Sequence, residues 1–272
     1  DRFLDAFVGA LDGLGVDVTA VHTEAGPGLL ELNLRARLGI RAADDAALTK
    51  FAAKAIAASL GMRASFLAKT VPNEEGSSGH VHMSLWRGGS NAFAAEGPAR
   101  PVTPEFGSAI AGVLEHLPAA SLLLNPTVNS YKRLVPGWFA PINATWGYEN
   151  RSCAVRAIRS ARPELWRFEC RRPGADANPY LALAALASSA AAGIRGDATP
   201  PEPVSGDAYA LDVPELPGSL ESALRAFRGD EAFRRGLGKA FSDYYATSRA
   251  WELQAWRETV TDWERARYER AV

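Results

Sequence analysis

Ser78-Gly79-His80-Val81-His82-Met83-Ser84-Leu85-Trp86 places two of the chain's four histidines on alternate positions of a strand-like run. A strand turns successive side chains to opposite faces, so this period of two aims His80 and His82 at one face. Val81 and Leu85 suit the strand itself. A polar strand face carrying two ordinary histidines is the bland alternative. The neighbouring strands decide what the two rings look at.

Two other segments carry the same kind of pattern. "VDVTAVHTEAGPGLLELNLRA", from Val16, reads as two strands around a Gly-Pro-Gly turn. In the second of these, Leu30, Leu32 and Leu34 alternate with Glu31, Asn33 and Arg35, one face apolar and the other polar. "LWRFECRRP", from Leu165, is a further strand and contains Glu169. Between them, "RASFLAKTV" from Arg63 reads as a strand and "PNEEGSSG" as a loop.

The helical segments surround these. "DRFLDAFVGALDGLG" opens the chain with an apolar stripe of Phe3, Leu4, Phe7, Leu11 and Leu14. A start at Asp1, without Met or lead-in, suggests a fragment. "DDAALTKFAAKAIAASLG" reads as a helix opened by acids and closed by Gly61. "TPEFGSAIAGVLEHLPAASLLLNP" follows, with Thr103 as cap and Pro104 in the first turn. "YLALAALASSAAAGI" reads as a buried helix, too short and too rich in Ala and Ser to span a bilayer. The chain from Ser219 onward is helical with short breaks. Strands and helices mix without a beta-alpha-beta rhythm, which predicts an α+β fold rather than a doubly wound sheet. No dinucleotide fingerprint or phosphate loop is present.

Bulk composition excludes several classes. With 272 residues, 47% hydrophobic and 22% charged, the chain is long enough for a large core. A net charge of -1 offers no general attraction to nucleic acid or to an anionic membrane. Two cysteines make no disulfide scaffold and favour a reducing compartment. No basic, hydrophobic leader opens the sequence, and the expected location is cytoplasmic.

The polar strand faces offer Glu24 and Glu31, then His80 and His82, then Glu169. Carboxylates with one imidazole suit magnesium or manganese better than structural zinc. Arg133, Arg151, Arg156, Arg167 and Arg171 stand close to turns and strand faces. Guanidinium forks match carboxylate and phosphate. Acids that hold metals beside arginines that hold anions describe a phosphoryl-transfer site. Solvated glutamates and interstrand ion pairs are the competing explanations.

These segments resemble the catalytic domain of the glutamine synthetase family, which sharpens every one of these readings. The likeness is strongest in "NPTVNSYKRLVPGWFAPINATWGYENRSCAVRAI", "FECRRPGADANPYLALAA", "SGHVHMSLW" and "HTEAGPGLLELNLR", and it continues through "TDWERARY". It implies that residues 1–272 form a catalytic domain with a curved, largely antiparallel sheet lining a funnel and backed by helices. It also implies that a small β-grasp domain and a first catalytic strand, with its metal-binding acids, are absent from the chain. The implied activity phosphorylates the side-chain carboxylate of glutamate with ATP, and an amine or ammonia then displaces the phosphate.

By resemblance, Glu24 and Glu31 are ligands of one magnesium or manganese ion, and His80 and Glu169 of a second, in a set of two or three. Gly76 contacts glutamate, which Arg133 and Arg171 grip. His82, Ser84, Arg156 and Arg167 belong to the ATP side, and Arg151 stabilises the transferring phosphoryl. The implied assembly is a homo-oligomeric ring, a dodecamer or a relative of it. A fragment without the small domain is expected to be inactive.

Four positions depart from the family. Its Pro-Gly-Tyr/Phe-Glu-Ala-Pro flap is here "PGWFAP", with Phe139 in place of the glutamate that helps deprotonate ammonium. Leu29 replaces the usual glutamine. The usual Asn-Gly-Ser-Gly loop is "EGSS", with Glu75 in the asparagine position and Ser78 in a glycine position. Metal and phosphate residues are kept while the ammonia-side residue is lost. That pattern favours an acceptor amine with a carbon body, close in character to the family's gamma-glutamylpolyamine and gamma-glutamylamine-forming members. The alternatives are ordinary glutamine synthetase and a non-catalytic relative with a regulatory or assembly role.

Overall fold

A computed structural model describes residues 2–95 and 102–271; Asp1 lies outside them. The Ser78–Trp86 stretch holds a short strand, β3 (Val81–Met83), which is one edge of the central sheet, and its last residue opens β4 (Trp86–Arg87), paired separately with β5 (Ser90–Asn91). The neighbours of β3 are β8 (Arg167–Cys170), β7 (Val155–Ile158) and β6 (Trp146–Tyr148), in the order β3-β8-β7-β6. The first two pairings are antiparallel and β6–β7 is parallel. The register sets His82 opposite Glu169 and Glu169 opposite Arg156. Alternation then gives the sheet two unlike faces. Phe168, Cys170, Val155 and Ala157 go into the core, and their polar neighbours form the other face.

The buried face rests on α3 (Pro104–Leu124) and α4 (Pro179–Arg195), with α5 (Leu220–Gly229), α6 (Glu231–Leu237) and α7 (Lys239–Glu258) behind them. The Thr103 hydroxyl accepts from the Phe106 amide at 3.2 Å, so the expected cap is present. α3 is the most apolar helix, long enough by composition to cross a membrane, but 89% of its most apolar window is buried inside the protein. It is the core helix here.

A second, smaller core lies under the N-terminal hairpin. β1 (Val18–Thr23) and β2 (Leu30–Leu34) pair antiparallel around Gly26-Pro27-Gly28, where Gly28 adopts φ +67°. Leu32 and Leu34 pack with Phe7 and Leu11 of α1 (Arg2–Gly13) and Ala52 and Ala53 of α2 (Arg41–Ser59). α2 starts three residues before Asp44 and ends before Gly61, which adopts φ +70°.

Arg63–Val71, read as a strand from its sequence, forms none. Its backbone groups find partners outside any ladder. The Ser77 amide donates to the Ala68 carbonyl at 2.9 Å, and Asn129 bonds both the amide and the carbonyl of Lys69. Among the described residues the strands form three separate sheets and no closed barrel.

Candidate active site

Six of the expected residues share the polar face of the central sheet. Along β8, Arg167, Glu169 and Arg171 alternate outward; His80 and His82 flank them on one side and Arg156 on the other. Glu169 is the hub. It is 3% exposed, and its Oε1 lies 3.1 Å from His80 Nδ1 and 2.7 Å from Arg171 Nη1. Its Oε2 accepts from Arg156 Nη1 at 3.3 Å. Burial alone would raise the Glu169 pKa; the hydrogen bond from His80 and then the charge of the Arg171 guanidinium override it and hold the carboxyl well below its usual range.

The two imidazoles are kept neutral. Burial pushes His80 down, with help from Arg171 and Arg133 and against its bond to Glu169. With Nδ1 donating to Glu169, the lone pair falls on Nε2, which is buried without a hydrogen-bond partner among the described residues. His82 is pushed down to about 4, by desolvation first and then by Arg167, His80 and Arg156, although its outer edge is open to solvent. Arg167 Nε donates to His82 Nδ1 at 3.1 Å. Ser84 accepts from Trp86 Nε1 at 2.9 Å.

The remaining arginines differ in how free they are. Arg133 is 2% exposed and already donates to Ser78 Oγ at 3.1 Å and to the Arg172 carbonyl at 2.6 Å. Gly76 is packed so closely on it that a Cβ would overlap the Arg133 side chain and approach the Ala68 carbonyl to 2.7 Å. Arg171 also donates to the carbonyls of Arg151, at 3.0 Å, and Phe139, at 3.4 Å. Arg151 and Arg156 instead line a cavity of about 670 Å3 with Tyr148, Glu149, Asn150 and the 203–206 segment. Arg156 is ion-paired there to Glu149, while the Arg151 guanidinium has no bond among the described residues.

Glu24 and Glu31 form a second group on the hairpin, and sequence reading missed its third member. His22, on β1 two residues before Glu24, sits directly opposite Glu31. Its Nε2 is 3.5 Å from Glu24 Oε1 and 3.6 Å from Glu31 Oε1. The three donor atoms lie within 4.8 Å of one another. Burial, then the nearness of Glu31 and Glu75, raises the Glu24 pKa. A divalent cation would relieve that repulsion, and the donor set suits one. The signal was available in the alternation, but only the cross-strand register pairs His22 with Glu31.

The 74–79 loop joins the two groups. A Cβ on Gly26 of the hairpin would lie 3.5 Å from the Glu75 carbonyl, and Ser78 at the loop's far end bonds Arg133. Phe139 stands apart, 57% exposed and at φ +54°, with its carbonyl tied to Arg171.

An acid-and-imidazole sheet face, bordered by arginines and by a second acidic hairpin, is the architecture of a family. Residues 1–268 match the model of the glutamine synthetase catalytic domain, and the chain belongs to the glutamine synthetase family. It is 37% identical over 269 residues to a glutamine synthetase of Thermus thermophilus, covering 96% of this chain and 60% of that protein. It is 40% identical over 261 residues to a glutamate–isopropylamine ligase of a Pseudomonas species, covering 93% and 56% respectively. A solved structure titled as a GmaS/ADP complex superposes with a TM-score of 0.88 at 30% identity, over 98% of this chain and 63% of that one. The chain thus spans about 60% of the length of the curated relatives it matches.

Proposed function

We propose that the protein is an ATP-dependent ligase that joins the side-chain carboxylate of glutamate to a primary amine through gamma-glutamyl phosphate. The observation that carries the amine reading is Phe139, an exposed aromatic ring in the flap position where the family has a glutamate. It cannot accept a proton from ammonium, yet it offers apolar surface to a carbon body. The 40% identity to a glutamate–isopropylamine ligase supports the same reading.

In this reading Glu24 and Glu31, with His22 beside them, hold one divalent ion, and His80 and Glu169 hold another. Magnesium or manganese bound there supplies positive charge to phosphate oxygens. Gly76 keeps the loop close to Arg133. Arg133 and Arg171 fix the glutamate and its reacting carboxylate. Arg156, Arg167, His82 and Ser84 take the nucleotide side, and Arg151 faces the moving phosphoryl. Neutral imidazoles and an ionised Glu169 leave these groups as donors rather than competitors for protons. A homo-oligomeric ring in the cytoplasm is the setting we propose for the whole protein.

The test is phosphate release by the whole protein with glutamate, MgATP and either ammonium or a panel of primary amines. Higher kcat/KM for an amine than for ammonium is expected. Release with ammonium alone would make it an ordinary glutamine synthetase. Absence of MgATP binding by calorimetry would favour a non-catalytic role.

A further inference from the structure

Lys69 carries its ammonium onto the face of Trp138, 4.1 Å from the ring centroid. The same ammonium donates to the Glu74 carbonyl; burial lowers its pKa, and the attraction of the Glu74 and Glu75 carboxylates offsets only part of that. Its backbone is clamped on both sides by Asn129: the Lys69 amide donates to Oδ1 and the carbonyl accepts from Nδ2, each at 2.9 Å. The stem therefore leaves from a fixed point, and its charge ends in a box with an indole wall, a carbonyl and nearby acids. These are the elements that recognise a protonated amine.

The box adjoins the site. Trp138 precedes Phe139, whose carbonyl accepts from Arg171, and Arg171 bonds Glu169. The box also has capacity that Lys69 does not use, since Glu75 keeps one carboxylate oxygen buried without a hydrogen-bond partner among the described residues. A lysine stem ending in an ammonium is itself a primary alkylammonium. The chain thus supplies, from its own sequence, a likeness of the substrate class proposed above.

We propose that the Trp138 face and the Glu74–Glu75 loop form the alkylammonium seat of the acceptor site, with Lys69 as its resident until a protonated primary amine displaces it. This deepens the amine-ligase reading and rests on it. The seat selects cations with a carbon body, because the indole contacts methylenes as well as charge.

Steady-state kinetics on the whole protein with isopropylamine as acceptor test the seat, with the glutamate KM as internal reference. Lys69→Met vacates the indole, and the isopropylamine KM should fall fivefold or more. Trp138→Leu should raise that KM about tenfold, the size expected of a partly desolvated cation–π contact. Trp138→Phe keeps a ring in the flap and should fall between, which guards against a variant that simply misfolds. A Lys69→Met enzyme whose kcat fell equally for every acceptor, with KM unmoved, would make Lys69 only a tie for the flap and overturn the seat. If amines are turned over but neither variant shifts their KM, the seat falls and the ligase reading stands. If the wild type uses ammonium alone, the ligase reading falls and takes the seat with it.

Discussion

Phe139 occupies backbone space that side chains seldom adopt, at φ +54°, with more than half of its surface in solvent. Such a conformation costs on the order of 1 kcal/mol and persists where surroundings hold it. Here the Arg171 guanidinium holds the carbonyl, and Gly137 before it adopts φ +80°. The ring is thus presented outward by a bent flap. Phe139→Glu should raise kcat/KM for ammonium and lower it for a bulkier amine. Two or three lost methylene contacts at about 0.8 kcal/mol each reduce amine selectivity roughly ten- to a hundredfold. The ratio of the two kcat/KM values, in wild type and variant, measures this. An undiminished amine preference would move attention to Glu75, the other altered position beside the site.

At the scale of elements, the polar sheet face is only as well placed as the helices behind it. α3 and α4 approach so closely that a Cβ at Gly112 would overlap the Ser189 carbonyl and come within 2.6 Å of the Gly193 amide nitrogen. Backbone cannot swing aside as a flexible side chain can. Gly112→Ala should therefore force the helices apart and cost about 1–3 kcal/mol or more. In a domain of this size that corresponds to roughly 3–10 °C in Tm. Gly9→Ala in α1 is the contrast, since an added Cβ there meets nothing within 4 Å. It should raise Tm slightly, by removing freedom from the unfolded chain. Thermal melts of the two variants check both signs. Equal melting temperatures for Gly112→Ala and wild type would mean that α3 and α4 yield to the added methyl without loss of packing.

For the molecule as a whole, the site is a source of acid sensitivity. His80 and His82 have folded pKa values below the 6.5 of an unfolded histidine, in the second case about 4. Their contribution to stability is complete above pH 6.5 and is lost as pH falls from there toward the folded values. Glu169, also lowered, adds stability above 4.5 that disappears at still lower pH. Urea midpoints should be level from pH 8 to 7 and decline from pH 6.5 to 4.5. His82→Gln should flatten that decline by on the order of 1 kcal/mol, a figure reduced from the full shift because the ring's outer edge is solvated. Parallel slopes in wild type and variant would show that His82 titrates normally.

What the sequence determined by itself was whatever depends on local period and punctuation. Alternation predicted the hairpin around Gly26-Pro27-Gly28 and one polar face bearing His80 and His82, and Thr103-Pro104 marked the start of α3. The long blocks from Asn125 to Ile158 and around Glu169 carried the family. Tertiary structure decided what depends on which strand lies beside which. Only the register sets Glu169 between His82 and Arg156, and only the hairpin pairing brings His22 to Glu31. Arg63–Val71 has the composition of a strand, but its backbone at Ala68 and Lys69 bonds Ser77 and Asn129 rather than a neighbouring strand. The arginines looked alike in sequence. Burial separates Arg133 and Arg171, fixed by carbonyls and Glu169, from Arg151, which lines a cavity with no bond to its guanidinium among the described residues. A residue's chemistry is written in its type, but its availability depends on distant neighbours, as Arg167 does on His82, 85 positions away, and only folding selects them.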